Sequence, residues 1–272
     1  MRQGIAPYWD ASEPLGLSRG GWTWDARLVD FDNDGTLEAI QAAGFMKGEV
    51  NRWPEMHELA LGNDQLVRYP FLHPLLDRST EVAGHEHNPF FVMATDGRYY
   101  DVAPDLENMS DPMLSRGIAV GDVDVDGRMD LVIANQWEPS FYFHNDAPQP
   151  GNFLGLFLRL ALDNESQDSQ VSGGPPTGER ITMPAYGAQA TLRLASDRIL
   201  VGQVDGGSGH TGKRGPELHF GLSDHPEQTA LAVELRWRGR DGLARYETLS
   251  LKPGWHTVVL GTTSSEIVET RP

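Results

Sequence analysis

Apolar and polar residues alternate in short runs along most of the chain. Ala26-Arg27-Leu28-Val29, Ile118-Ala119-Val120-Gly121 and Leu131-Val132-Ile133-Ala134 have the length and pattern of strands. Turn signals separate the runs, at Asp34-Gly35, Gly62-Asn63, Asp96-Gly97, Asp126-Gly127 and Asp241-Gly242. Phe90–Val102 reads as a hairpin folded at Asp96-Gly97, and Phe141–Asp146 as the start of the equivalent strand one unit later. Helical periodicity is confined to short stretches near Met56–Leu61 or Leu72–Asp77. The pattern predicts an all-β protein.

The pattern changes at Asp146-Ala147-Pro148-Gln149-Pro150-Gly151-Asn152, which reads as a linker. Beyond it, Phe153–Leu160, Ala188–Leu194, Ile199–Val204, Glu217–Leu222, Leu231–Trp237, Ala244–Leu251 and His256–Leu260 read as strands. About seven short strands with intervening turns suggest a β-sandwich. Asp163–Pro176, rich in Ser, Gly, Asp and Pro, reads as a surface loop, and the tail from Thr262 is polar. The expected division is 1–148, 149–262 and a tail over 263–272.

Two acidic loops carry the chemistry. Asp30-Phe31-Asp32-Asn33-Asp34-Gly35-Thr36-Leu37-Glu38 and Asp122-Val123-Asp124-Val125-Asp126-Gly127-Arg128-Met129-Asp130 both fit D-x-D-x-D-G-x-x-[DE]. Carboxylates at alternate positions of a tight loop converge on one point, and the Gly permits the sharp turn. Such a set suits a hard, oxygen-seeking cation, and Ca²⁺ is the expected ion at two sites. The expected ligands are Asp30, Asp32, Asp34, the Thr36 carbonyl and Glu38 in the first loop. In the second they are Asp122, Asp124, Asp126, the Arg128 carbonyl and Asp130. EF-hands are excluded, because position twelve would be Gln41 and Ile133 and the flanks are strand-like. The competing reading of one such loop is a solvated Asp/Gly turn, and two copies with matching flanks weaken it.

The loops begin 92 residues apart, which matches two repeats of about 40–50 residues, as in propeller blades. Residues 1–148 then supply two to three blades, where a closed propeller uses about four to eight. Another chain or further N-terminal blades would cover the raw faces.

A net charge of −17 and an isoelectric point near 4.8 exclude the basic surface that nucleic acids or anionic membranes require. Bound cations would offset part of that self-repulsion. There is no cysteine, which removes disulfides, thiolate zinc sites and a cysteine nucleophile. No apolar run is long enough to span a bilayer. Met1–Tyr8 has no apolar signal-peptide core, so export information is not seen in this chain.

The loops with their strand flanks resemble FG-GAP/VCBS-type propeller repeats. Gly21-Trp22-Thr23-Trp24-Asp25-Ala26-Arg27-Leu28-Val29-Asp30 and Ser115-Arg116-Gly117-Ile118-Ala119-Val120-Gly121-Asp122 carry the likeness, close to the cartilage-acidic-protein-like group. The second half resembles the ASPIC/UnbV domain through Asn152–Gly155, Tyr186–Leu192, Gly206–His210, Glu217–Leu222 and Val233–Trp237. The likeness covers nearly the whole chain, but only the C-terminal portion of such proteins. Glu38 departs from the more usual Asp, and Asp163–Pro184 looks like an insertion. The resemblance implies a partial propeller followed by a β-sandwich-like domain. It further implies an extracytoplasmic, calcium-binding role in adhesion or assembly, without an established catalytic activity.

Other candidates are weaker. His85-Glu86-His87 would place both imidazoles on one face of a strand, but no third ligand is evident. Gly206-Gly207-Ser208-Gly209-His210 lacks the strand–loop–helix context of a phosphate loop, and Ser208, His210 and Asp205 do not make a triad on spacing. Trp22 and Trp24 share a strand face and suit packing between blades, or stacking on a glycan or protein partner. The leading expectation is a non-enzymatic calcium-binding module for protein or glycan binding. The alternative is an enzyme, or an accessory subunit, acting on an extracellular substrate such as carbohydrate.

Overall fold

The computed structural model describes residues 9–61, 68–162, 167–178, 181–194, 198–207 and 213–262. Met1–Tyr8, Ser208–His210 and the tail 263–272 lie outside the described residues. Strands dominate; the α-helices among the described residues are the single turn α1 (Ser12–Leu15) and α2 (Trp53–Leu61).

The first sheet is built from β1 (Thr23–Val29) and β2 (Glu38–Ala43), joined across the first acidic loop. After a two-stranded excursion, β3 (Val50–Asn51) with β4 (Thr80–Glu81), it is completed by β5 (Phe90–Met93) and β6 (Tyr99–Asp101). The order is β1-β2-β5-β6, antiparallel throughout. The expected hairpin at Asp96-Gly97 is the β5–β6 turn, with Gly97 at φ 78°. The second sheet repeats this plan in β7 (Ser115–Gly121), β8 (Asp130–Asn135) and β9 (Phe141–Phe143). Even the bulges correspond, at Thr23/Asp25 and Ser115/Gly117. Strand alternation explains the shared core: Ile40, Ala42, Ile118, Leu131 and Ile133 are buried in one cluster with Ala103 and Met109.

Thus the 92-residue interval is not two units. It is one four-stranded sheet whose second and third strands are separated by residues 44–89, where the second sheet uses only 136–140. The expected helix near Met56–Leu61 is part of α2, and Leu72–Asp77 is not helical; a 3₁₀ turn ends at Leu72.

The remaining strands are β10 (Asn152–Ala161), β11 (Gln170–Gly173), β12 (Thr182–Pro184), β13 (Gln189–Arg193), β14 (Ile199–Gln203), β15 (Lys213–Arg214), β16 (Leu218–Ser223), β17 (Leu231–Arg238), β18 (Ala244–Leu251) and β19 (Gly254–Leu260). One sheet runs β11-β19-β10-β12 with β16 also on β10; the other runs β14-β13-β17-β18. Their inward positions, among them Leu154, Leu156, Leu192, Val233, Leu235, Trp237 and Val258, form one buried core. Gly155 is required by close approach: a Cβ there would lie 2.0 Å from the Trp255 ring.

One expectation is corrected: part of Asp163–Pro176 is strand, since β11 pairs with β19 although its four residues are exposed. The stretch Asp146–Gly151 connects β9 to β10, with Gly151 N–H donating to the Asp32 carbonyl at 2.8 Å. The short β15 crosses to the second sheet, where it pairs in parallel with β7.

Candidate metal centre

Both acidic loops close hairpins at the same register, Val29 opposite Glu38 and Gly121 opposite Asp130. Their backbones match: Asn33 and Val125 have φ 61° and 64°, and Gly35 and Gly127 have φ 81° and 89°. A β-branched residue rarely occupies the left-handed region, so Val125 follows the loop rather than its own preference. The first Asp of each loop accepts the Gly N–H, Asp30 Oδ2 from Gly35 at 2.8 Å and Asp122 Oδ2 from Gly127 at 2.7 Å. The last acid accepts the N–H of loop residue two, Glu38 from Phe31 at 2.8 Å and Asp130 from Val123 at 3.0 Å.

Carboxylate oxygens of Asp30, Asp32 and Glu38 come within 4.8 Å of one another. Asp34 instead accepts the Thr36 N–H at 2.5 Å. Asp30 and Glu38 are 4% and 5% exposed, and Asp30 Oδ1 is buried with no hydrogen-bond partner. Burial, with the added repulsion of neighbouring loop acids, overcomes the backbone hydrogen bonds and pushes Asp30 up to about 7 and Glu38 up to about 8. These are carboxylates whose charge lacks a counterion. An all-oxygen donor set with an orphaned buried acceptor fits a hard cation.

In the second loop, Asp122, Asp124 and Asp126 approach within 4.8 Å, as do Asp124, Asp130 and His144. More of this loop's acids are engaged. Asp122 Oδ2 also accepts the Trp255 indole N–H at 2.7 Å, and Asp126 pairs with the Arg128 guanidinium. Asp130 is pulled below the usual carboxylate range: burial raises it, but N–H donors of Asn145 and Val123 and the side chains of Tyr142 and His144 outweigh that.

Side chains remote in sequence lock the loops together. Asn33 Nδ2 donates to the Gly127 and Gly151 carbonyls, both at 3.1 Å, and Asn145 Nδ2 donates to the Phe31 carbonyl at 2.7 Å. From the C-terminal sheets, Ser223 N–H donates to the Asn33 carbonyl at 2.7 Å, and Arg198 reaches the Gly35 carbonyl. A Cβ at Gly127 would lie 2.1 Å from the Phe153 ring. The loops therefore sit at the seam between the N-terminal sheets and the C-terminal core. Asn33, Asn145, His144 and Trp255 were not identified from spacing; only His144 and Asn145, at the end of the repeated Phe141–Asp146 strand, left a signal there.

The seam is hollow on two sides. A cavity of about 350 Å³ lies between Leu28, Leu37, Val120, Ile199 and Phe220. A second, of about 470 Å³, lies between the two N-terminal sheets, with Phe31, Phe90, Leu131 and Phe143 among its walls and Asp32, Glu38 and His144 at its polar side.

The other sequence candidates disperse. His85 faces Glu81 at 3.5 Å and His87 faces Asp101 at 2.7 Å, so the two imidazoles serve different acids from a loop. Trp22 stacks on Phe45 with centroids 5.1 Å apart, Trp53 meets it edge-on, and Arg116 lies 4.8 Å over Trp24. These indoles anchor the 44–89 excursion.

Residues 178–267 match the family model described as ASPIC and UnbV. The ASPIC/UnbV match takes in β12 to β19, leaving β10 and β11, with which it shares a sheet, outside. No curated protein matches the chain. Among the described residues no helix is long and apolar enough to cross a membrane.

Proposed function

We propose that this chain is a non-enzymatic, calcium-binding assembly module of the extracytoplasmic space. In it, two FG-GAP/VCBS-type propeller blades over residues 1–148 dock on a β-sandwich-like ASPIC/UnbV domain over 149–262. The observation that carries the reading is the orphaned, buried Asp30 Oδ1 beside Asp32 and Glu38. Ca²⁺ in the first loop, held by Asp30, Asp32 and Glu38 and completed by Asp34 and the Thr36 carbonyl, would supply the missing counterion. The ion would also stiffen a loop that Ser223, Gly151 and Arg198 grip from the other side of the seam.

Calcium at 100 times its Kd is expected to stabilise the fold by about 2.7 kcal/mol, raising the melting temperature by roughly 5–10 °C. Asp30→Asn should remove that shift. Melting with and without Ca²⁺ is the measurement, and equal shifts in the two proteins would sink the first-loop assignment.

The shift should depend on pH. Asp30 and Glu38 hold protons up to about 7 and 8 in the ion-free fold, against ordinary values of 3.8 and 4.5. Between those limits the folded state binds more protons than the unfolded one, so ion-free stability falls as pH rises and levels off above about 8. Calcium must displace those protons, so its stabilisation should be small at pH 5.5 and full at pH 8.5. A shift that is constant across this range would contradict the assignment.

The same reading makes the blades part of a larger ring, completed by a protein partner or further blades. Phe141 and Tyr142 on β9 and Tyr100 on β6 are exposed large side chains that such a neighbour would cover. Light scattering in calcium tests it: a defined oligomer, alone or with the partner, is expected, and a monomer that stays folded and non-aggregating without any partner would count against it.

A further inference from the structure

The cavity of about 350 Å³ at the seam is walled by both halves of the chain. Leu28 and Val120 each stand two residues before the first Asp of their loop, and Leu37 and Met129 one residue before its last acid. The repeat thus brings two pairs of equivalent apolar positions to one space. On β1 the buried positions are Asp25, Arg27 and Val29, so Leu28 points the other way. The opposite wall comes from β14, where Ile199, Val201 and Gln203 share an exposed face, and from Phe220 on β16. Leu28, Ile199 and Val201 are each more than half exposed. Large apolar side chains left open around a hollow between two domains make a ligand pocket, at the small end of the roughly 300–1,000 Å³ such pockets span.

One end of the cavity is polar. Where β15 crosses to β7, Arg214 and Glu217 line it, and Arg214 is the one Lys or Arg among the described residues that do. Arg214 Nε is buried without a hydrogen-bond partner. The carboxylate it faces, Asp205 Oδ1, stands 3.8 Å away, beyond hydrogen-bonding distance. Glu217 folds back over β15, where a Cβ at Gly215 would lie 2.0 Å from its Oε2. Burial raises the Glu217 carboxyl above its usual range despite the nearby Arg214, which favours the neutral, proton-donating form. His219 is already committed. Its Nε2–H donates to the Gly127 carbonyl at 3.0 Å, its ring stacks on Phe153, and burial holds its pKa down.

Two donors therefore face this end, one with a full positive charge. The group they lack is an acceptor. A carboxylate answers both, through charge-assisted bonds to the guanidinium and a shared proton with Glu217. An amine would meet Glu217 but face Arg214 with like charge. A doubly charged phosphate would meet Asp30 and Glu217 with a single cation to offset it.

We infer that the seam cavity binds a small carboxylic acid with an apolar body. The body lies between Leu28, Val120, Ile199 and Val201, and the carboxylate sits on Arg214. The inference needs no cation in either loop. It makes the pocket a joint product of the repeat and the C-terminal domain, so that a bound acid bridges the two.

Octanoate is the probe, titrated into the full chain by calorimetry, and one saturable equivalent is expected. Arg214→Gln should weaken it roughly ten- to a hundredfold. Val201→Gln, at an exposed position, should weaken it about tenfold by placing an amide among the apolar walls. Octan-1-ol lacks the charge and should bind the parent and Arg214→Gln alike. Leu106→Gln, in the cavity between the two N-terminal sheets, should leave octanoate binding unchanged. Melting temperatures close to the parent's show that the variants fold. Equal octanoate affinity in the parent, Arg214→Gln and Val201→Gln would overturn the site. Weakening in Leu106→Gln alone would move the ligand to the other cavity and overturn it too. Octylamine binding more tightly than octanoate would reverse the charge assignment, and no saturable step at millimolar octanoate would remove the ligand altogether.

Discussion

Replacing Asp25 with alanine will lower the unfolding free energy by about 3–5 kcal/mol, the largest effect expected from any single charge in the N-terminal sheets. Asp25 Oδ2 lies 3.2 Å from the Arg27 guanidinium, and neither side chain is more than 1% exposed. The same carboxylate accepts the Ile118 N–H at 2.9 Å, and Arg27 Nε reaches the Ile118 carbonyl at 3.4 Å. One ion pair thus bridges β1 to β7 across the bulge. Alanine removes the anion, and with it the 3.2 Å ion pair and the acceptor of the Ile118 N–H. The paired change Asp25→Leu with Arg27→Met removes both buried charges together and should recover most of the loss. Urea denaturation of the three proteins measures this. A single variant within about 1 kcal/mol of the parent would refute the bridge as a stabilising element.

Trp255→Ala is expected to cost about 3–5 kcal/mol. Trp255 is 9% exposed, packs with Phe153, Phe157 and His219 at centroid distances of 5.6, 4.9 and 5.9 Å, and lies flat against Gly155. Its indole N–H also donates to Asp122. Trp255→Phe keeps most of the ring contact and loses that charge-assisted bond, so it should cost less, about 1.5–3 kcal/mol. Equal losses for the two variants would mean that the hydrogen bond, not the packing, carries the residue. Losses below about 1 kcal/mol for both would mean that neither does.

Much of the C-terminal core could be read from alternation. Leu231–Arg238 buries every second residue, and the strand read from the sequence, Leu231–Trp237, stops one residue short of it. Strands held by backbone pairing alone were illegible. β11 is exposed along its length and rests on β19, and β15 is two basic residues held by β7. Neither has an apolar face for a pattern to report. The 92-residue spacing hides the unit length, because residues 44–89 enlarge one sheet to the size of two repeats.

In the acidic loops, spacing locates the carboxylates because each loop is local. It could not tell the two loops apart, because what distinguishes them comes from elsewhere. His144 arrives across a strand pair, and Trp255 arrives from 133 residues away to engage Asp122. Nor could spacing show that Asp30 is buried without a partner, which is a property of the seam.

The crossing of β15 onto β7 has a consequence for how the chain is made. Synthesis runs from the N-terminus, and among the described residues the strand that pairs the inner edge of the second sheet is Lys213–Arg214. When residue 150 leaves the ribosome, β7, β8 and β9 can zip together, yet one rim of that sheet must wait for more than sixty further residues. At about 5–20 residues per second that is an interval of seconds, long against the microseconds in which hairpins form. During it, the growing chain presents an open strand edge beside an acidic loop. A cation already seated there would hold the first two strands in register until the last part of the protein arrives to cover them.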